Sequence, residues 1–454
     1  MYWANFLHIY QPPTQKEIWV KRITDECYRK LFSGILKIKN ARLTLNINGI
    51  LCELLDKYGG GDVLENIKKL LQNGSLELTG SAKFHAFLPL LPESEIERQI
   101  LLNETILNKY FGNLWRSHNG QQGFFSPEMA YSYKVAAVAA RLGYKWIVID
   151  ELGFPSGKKY SPDTLYKIKG LENFSVFFRE RNLSFTILSA QVGTVPTMLR
   201  YLGPRLEKSE YVVTAMDGET FGHHRPGLEL LLFDLLNEKK IQSVAIGDLL
   251  NKFTKTEEIE PRESTWAVTK TDIKNNTPFS RWNKSDNPIQ QKQWELTDIA
   301  IAAGNRAPVN EKNRNLLDAA LHSDQYWWAS ARPWWSLEMI ERGAYELKQV
   351  ILEAAASTAQ EKNKAEELYR GIIYTALDWQ RSGLVDAISR QEDEEVRERL
   401  EEKEHLFITK EEYRQMITTL EEQMHLAAKA EEYHRAAMIK DRIRELNEEI
   451  KKQK

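Results

Sequence analysis

The sequence predicts an α/β fold: a barrel-like sheet domain, then a helical subdomain, then a charged helical hairpin. Three observations carry this expectation. Seven short apolar runs of β type recur through the first half of the chain with helical stretches between most of them, the pattern of parallel βαβ units. Beyond a charged loop at 254–262 the periodicity becomes mostly helical. From Asp386 onward Glu, Lys and Arg dominate, with sparse apolar positions at helical spacing, as in long helices that bury only a narrow stripe.

In chain order, the predicted strands are 2–9, 42–48, 76–79, 123–126, 145–149, 175–178 and 211–216. The sheet domain is expected to cover 1–263 and the helical subdomain, packed on it, 264–384. Within the subdomain, Asn287 before Pro288 is a good N-cap and first-turn pair. The tail, 385–454, opens its first helix with a Thr409–Glu412 capping box, and an apolar stripe continues through Tyr413, Met416, Ile417 and Leu420. Two coiled-coil-like helices are expected to meet near Glu431 and Glu432.

Two of the strand runs are followed by a carboxylate. Glu128 ends Gly123-Phe124-Phe125-Ser126-Pro127-Glu128, and Asp217 ends the run at 211–216 and precedes Gly218. A carboxyl group at the C-terminal end of a strand points into the mouth of an α/β sheet or barrel, where catalytic groups sit. These two are the candidate catalytic pair, each weighed against an ordinary role as cap, turn or surface residue.

Composition narrows the partners. Lysine plus arginine (62) nearly balances aspartate plus glutamate (64), so a net charge of −2 argues against nucleic acid or anionic membrane and for a neutral substrate. A hydrophobic content of 42% supplies a sizeable core, which excludes a disordered chain. Cys27 and Cys52 are too few for a disulfide framework and lie in no metal-ligand spacing; buried free thiols in a reducing, cytoplasmic compartment are expected. The N-terminus has no signal-peptide pattern, and no apolar run is long enough to span a bilayer. The load of 12 tryptophans and 18 tyrosines suits a sugar cleft, where C–H faces of the ring pack on aromatics, and suits a large aromatic core equally.

Several segments taken in order resemble glycoside hydrolase family 57. They are Leu7-His8-Ile9-Tyr10-Gln11-Pro12, then Glu77-Leu78-Thr79-Gly80 leading to His85 and Leu88-Pro89-Leu90-Leu91-Pro92, then the two carboxylate segments, with Phe178-Arg179-Glu180-Arg181 between them. The likeness spans roughly residues 1 to 350. It implies a distorted seven-stranded (β/α) barrel with a helical C-terminal part, acting on α-glucans in the manner of an α-amylase or 4-α-glucanotransferase. It also implies Glu128 as nucleophile, Asp217 as general acid/base, and substrate contacts from His8, Gln11, Glu77 and His85. Two departures stand out. Tyr10 occupies the place of a second histidine, and Phe125 that of a tryptophan near the nucleophile, which removes an indole from its surroundings. Leu420, Met424, Ala427-Ala428, Tyr433, Ala436-Ala437, Lys440-Asp441, Ile443 and Leu446 resemble the UVR motif of excision-repair subunits, which implies association with a protein partner.

Retaining glycoside hydrolysis needs two carboxyls about 5–5.5 Å apart and no metal or cofactor. In the expected division of labour Glu128 is ionised, while burial and a negative neighbour keep a proton on Asp217. Of His223 and His224, beyond Asp217, one is expected to face the cleft, with His223 the candidate substrate contact. The cluster Tyr326-Trp327-Trp328…Trp334-Trp335 either stacks glucose units or glues the subdomain to the barrel; core packing is expected for most of it, with Trp327 and Trp328 as candidate substrate contacts. Two other readings compete. One is a metal-dependent polysaccharide deacetylase using Asp217 with His223 and His224, although no Thr-Phe-Asp-Asp-Gly segment is present. The other is a non-catalytic glucan-binding or scaffold protein.

Overall fold

The computed structural model describes residues 1–116, 120–189, 193–306, 310–332, 334–391, 409–429 and 433–452. Among the described residues ten strands make one sheet: β1 (Tyr2–Ile9), β2 (Leu43–Ile47), β3 (Leu76–Leu78), β4 (Gly123–Phe124), β5 (Trp146–Asp150), β6 (Leu165–Ile168), β7 (Ser175–Arg179), β8 (Tyr211–Asp217), β9 (Gln242–Val244) and β10 (Thr256–Ile259). Seven of them close a parallel ring in the order β1-β2-β3-β4-β5-β7-β8-β1, a Gly80–Phe124 bridge joining β3 to β4. Closure at β4 relies on glycine. A Cβ on Gly123 would sit 2.0 Å from the Trp146 indole, and one on Gly80 2.0 Å from the Tyr144 hydroxyl.

Three strands were not anticipated. β6 runs antiparallel to β7, β10 pairs with β6, and β9 adds to the N-terminal half of β1. The charged segment expected to be a loop at 254–262 therefore contains β10. Its sequence, Thr-Glu-Glu-Ile, exposes all but the isoleucine, so nothing apolar marks it as a strand.

Alternation along the ring decides what reaches the mouth. Ala4 and Phe6 of β1 face the interior and pack with Phe125, Trp146, Val148, Phe177, Val213 and Ala215. Trp3, Leu7 and Ile9 face outward against the helices, with Leu31, Phe32, Leu183 and Leu232. The same parity carries His8 and Asp217 inward at the C-terminal strand ends, where the two are register partners.

The helices after β10 form one core with the barrel wall: Trp282, Ile289, Leu296, Leu317, Ile340 and Leu347 pack with Phe87 and Ile96. A buried ionic cluster reinforces this junction, in which Arg314 bonds Glu95 and Asp318, and Arg98 reaches Asp318 at 2.6 Å. Asn287 caps its helix as expected, accepting from Ile289 N at 3.0 Å and Gln290 N at 3.2 Å. So does the Thr409–Glu412 box, at 2.9 and 3.2 Å. Helices Lys410–Lys429 and Tyr433–Lys452 bury Leu420, Ala427, Ile439 and Leu446 between them. The expected junction at Glu431 and Glu432 lies outside the described residues. Cys27 and Cys52 are buried free thiols. No helix among the described residues is long and apolar enough to cross a membrane.

Candidate active site

Glu128 owes its position to an unfavourable backbone. After β4 and Pro127 a single turn places Glu128 at φ 60, ψ 16 and Met129 at φ 51, left-handed conformations that side chains other than glycine adopt only when surroundings compel them. The compulsion comes from the segment after β10: Tyr131 N donates to Ser264 O at 2.8 Å, and Trp266 N to Glu128 O at 3.2 Å. The turn delivers the carboxyl to one donor and two polar neighbours. Trp266 Nε1 donates to Oε2 at 2.9 Å, Ser323 Oγ lies 3.3 Å from Oε1, and His85 Nδ1 lies 3.8 Å from Oε1. Trp266 thus restores the indole whose loss was inferred from Phe125.

Behind Glu128 runs a hydrogen-bonded chain. His85 Nδ1 meets Ser323 Oγ at 2.9 Å, His85 Nε2 meets His8 Nε2 at 3.1 Å, and His8 Nδ1 meets Asn46 Oδ1 at 2.8 Å. Asn46 Nδ2 donates to Thr79, which fixes Oδ1 as an acceptor; His8 Nδ1 donates to it, and His8 Nε2 accepts from His85. His85 Nδ1 then accepts from the Ser323 hydroxyl. Both imidazoles are neutral: burial pushes His85 down to about 4, and burial with His85 alongside lowers His8.

Asp217 ends β8, and Gly218 lets the turn pass close to β1, since a Cβ there would meet Ile9 Cγ2 at 2.5 Å. Burial raises Asp217 to about 6, against the lowering pull of the Arg179 guanidinium. Burial raises Glu128 further, to about 8, with Asp324 and Asp217 adding to the rise and the Trp266 bond opposing it. This order reverses the expected one, because the cation lies beside Asp217 and the negative neighbours beside Glu128. Both carboxyls line one cavity of ≈ 500 Å³ at the C-terminal mouth of the barrel.

Of the other expected residues, His8, Gln11, His85, Trp327 and Trp328 line the same cavity. Two do not. Glu77 faces inward but near the opposite end of the barrel, where it accepts from Thr44 Oγ1 at 3.0 Å and Gly247 N at 3.1 Å; burial lifts it to about 7. His223 turns to Glu26 at 2.6 Å, and His224 takes the cavity-lining place. The grouping of Asp217 with both histidines that a deacetylase needs is therefore not formed. The aromatic cluster divides: Tyr326 is buried and stacks on Trp294 at 4.2 Å, while Trp327 and Trp328 are half-buried and reach the cavity.

Five cavity residues were not named as site residues from the sequence, Tyr10, Arg179, Glu219, Trp266 and Asp324, although Tyr10 and Arg179 lie in the family-like segments. Tyr10, in the histidine's place, stacks on His85 at 3.9 Å and donates to Asp324 Oδ2 at 2.6 Å. Burial alone would raise Asp324, but the His322 bond, with His85 and Tyr10 beside it, holds it below the usual range. Glu219 bonds the Tyr28 hydroxyl and Tyr10 N, and burial with Asp217 nearby pushes it up to about 8. Asp324 lies three residues before the tryptophan pair.

A family model, glycosyl hydrolase family 57, matches residues 5–261, and the UvrB/uvrC motif matches residues 414–449. An α-amylase of Pyrococcus abyssi is 26% identical over 211 residues, 44% of this chain and 30% of that one. Alpha-amylase 1 of Dictyoglomus thermophilum is 23% identical over 228 residues, 49% and 32% respectively. The matched region thus spans about a third of either relative's length. Among solved structures, a 4-α-glucanotransferase from Thermococcus litoralis superposes with a TM-score of 0.59 at 16% identity, covering 77% of this chain and 58% of that one. A branching enzyme from Pyrococcus horikoshii gives 0.60 at 17%, covering 83% and 96%. These likenesses agree with the barrel and its helical companion. Because the family match runs over the ring strands, from β1 to β10, and over both candidate carboxylates, the chain belongs to glycosyl hydrolase family 57.

Proposed function

We propose that this chain is a retaining glycoside hydrolase or transglycosylase acting on α-glucans, with Glu128 as nucleophile and Asp217 as general acid/base. The observation that supports it most is that two buried carboxyls with raised pKa values, near enough to affect one another, line a single cavity with the tryptophan indoles of 266, 327 and 328. The relatives and structural neighbours, α-amylases, a 4-α-glucanotransferase and a branching enzyme, favour the α-glucan.

In this reading Glu128 attacks the anomeric carbon while Asp217 protonates the leaving oxygen; Asp217 then removes a proton from water or a sugar hydroxyl that opens the glycosyl-enzyme. Near neutral pH the pair holds one proton between its two members. The reactive arrangement is the one with that proton on Asp217. When Glu128 gives up the proton, the Ser323 hydroxyl turns from His85 to the new carboxylate, which stabilises the charge. His8, Gln11, His224 and Asp324 bond sugar hydroxyls, and Trp327 and Trp328 pack on ring faces.

Incubation with maltooligosaccharides, followed by separation by size, tests the reading. Shorter products mean hydrolysis, a ladder on both sides of the input means transfer, and branch points mean branching. An unchanged substrate contradicts it. Trp266→Phe is expected to lower kcat about tenfold to a hundredfold, the range for a hydrogen bond to a charged group, and to raise the Glu128 pKa further. Steady-state kinetics against pH checks both. Glu77→Ala is expected to cost about 1–3 kcal/mol of stability by stranding buried donors, and to leave KM unchanged. Denaturant melts beside KM values test that separation.

A further inference from the structure

The cavity that holds Glu128 and Asp217 adjoins a second one. His224 lines both, and the second, ≈ 380 Å³, lies between the barrel and the C-terminal hairpin. Each is of a size that holds small ligands, roughly 300–1,000 Å³.

The hairpin is seated firmly on the barrel. The buried Glu412 carboxylate accepts from Arg200 Nη2 at 2.6 and 2.7 Å and from Thr197 Oγ1 at 3.0 Å, on barrel helix Val195–Leu202. A Cβ on Gly193 would strike Met416 Cε at 2.2 Å, and one on Gly227 would lie 3.0 Å from Leu420 Cδ2. The surface that the hairpin covers continues directly from the turn bearing Asp217 and Glu219. The protein that the UVR-like hairpin touches here is thus its own catalytic domain.

The lining of this second cavity selects a chemistry. Arg225 and Asp234 have no hydrogen-bonded side-chain partner among the described residues, and Arg225 shares the lining with Arg442; burial, then the Arg442 charge, lower its pKa against the pull of Glu445. A phosphate would suit the two guanidinium groups but be repelled by Asp234, Asp441 and Glu445. An apolar peptide would strand all of them. A hydroxyl accepts from a guanidinium and donates to a carboxylate at once, and Pro226, Met416 and Leu420 offer apolar surface to the C–H faces between hydroxyls.

We propose that the groove between hairpin and barrel continues the substrate path, so that glucan units beyond the cleavage point pass His224 and are held by Arg225, Asp234 and Arg442. The assignment rests on the α-glucan reading above and makes the hairpin a determinant of chain length.

The test uses full-length Glu128→Gln protein, which binds without turnover, titrated calorimetrically with maltose and with maltoheptaose. Maltoheptaose is expected to bind at least about tenfold more tightly than maltose, a gap of about 1.4 kcal/mol. Arg442→Ala, inside the groove, and Glu412→Ala, which loosens the hairpin from outside it, are each expected to abolish most of that preference, and Glu412→Ala to leave maltose affinity unchanged. A preference that survives intact in Arg442→Ala overturns the groove assignment, whether or not Glu412→Ala folds. Failure of both sugars to bind the Glu128→Gln protein overturns the α-glucan reading itself, which separates the two results.

Discussion

Glu128→Gln is expected to lower kcat by a factor on the order of 10⁴ to 10⁶, the loss seen when covalent mechanisms are deprived of their nucleophile or its activation. Stability should barely change. The carboxyl carries its proton near neutral pH in the free protein, being pushed up to about 8, so a neutral amide of the same shape replaces a neutral acid. The amide oxygen keeps the bond from Trp266 Nε1, and the amide nitrogen lies toward Ser323. Asp217→Asn is expected to cost roughly 10² to 10⁴, the worth of a general acid/base, and less on a substrate whose leaving group needs no proton. That asymmetry separates the two roles. Kinetics on natural and activated substrates, with thermal melts of each variant, provide the check; full activity in either variant contradicts the assignment.

The second large effect is on pH. The pair loses its first proton near 6 and its second near 8, so kcat/KM should follow a bell between those limbs. Below the acid limb both carboxyls are protonated and the nucleophile is gone; above the alkaline limb both are ionised and the leaving group has no acid. Activity should fall about tenfold per unit outside the window, so that two units below the acid limb it stands about a hundredfold under its maximum. Asp217→Asn should remove the alkaline limb and move the remaining one up from near 6, toward but short of 8, because Glu128 then titrates alone beside a neutral neighbour. A flat profile across both limbs contradicts the shared-proton account.

The ring strands are legible in the sequence because strands buried on both faces read as continuous apolar runs. β10, a largely exposed Thr-Glu-Glu-Ile, carries no such signal, and beside its backbone pairing with β6 only Ile259 joins the core. Glu128 and Asp217 are legible for a related reason: each is a carboxylate just past a strand end. Glu77, which the family resemblance and not a strand end put forward, does not line the cavity that holds them. Strand parity fixes that a side chain points inward but not its depth along the barrel, and Glu77 precedes the mouth by a full turn of the pleat. Trp266, Ser323 and Asp324 were hidden because they arrive from beyond the barrel, and only tertiary packing brings them to Glu128. Tyr10 was read as a lost imidazole. Its phenol instead ties Asp324 to the stacked face of His85, a role visible only with all three in place.

One experiment bears most directly on the idea that two carboxyls flank a single sugar. Asp217→Asn protein is treated with an activated fluoroglucosyl fluoride, which loads the nucleophile quickly and leaves it slowly, and the modified peptide is located by mass spectrometry. A glucosyl adduct on Glu128 is the expected result. An adduct on Glu219 or Asp324, or turnover with inversion at the anomeric carbon and no adduct, contradicts it.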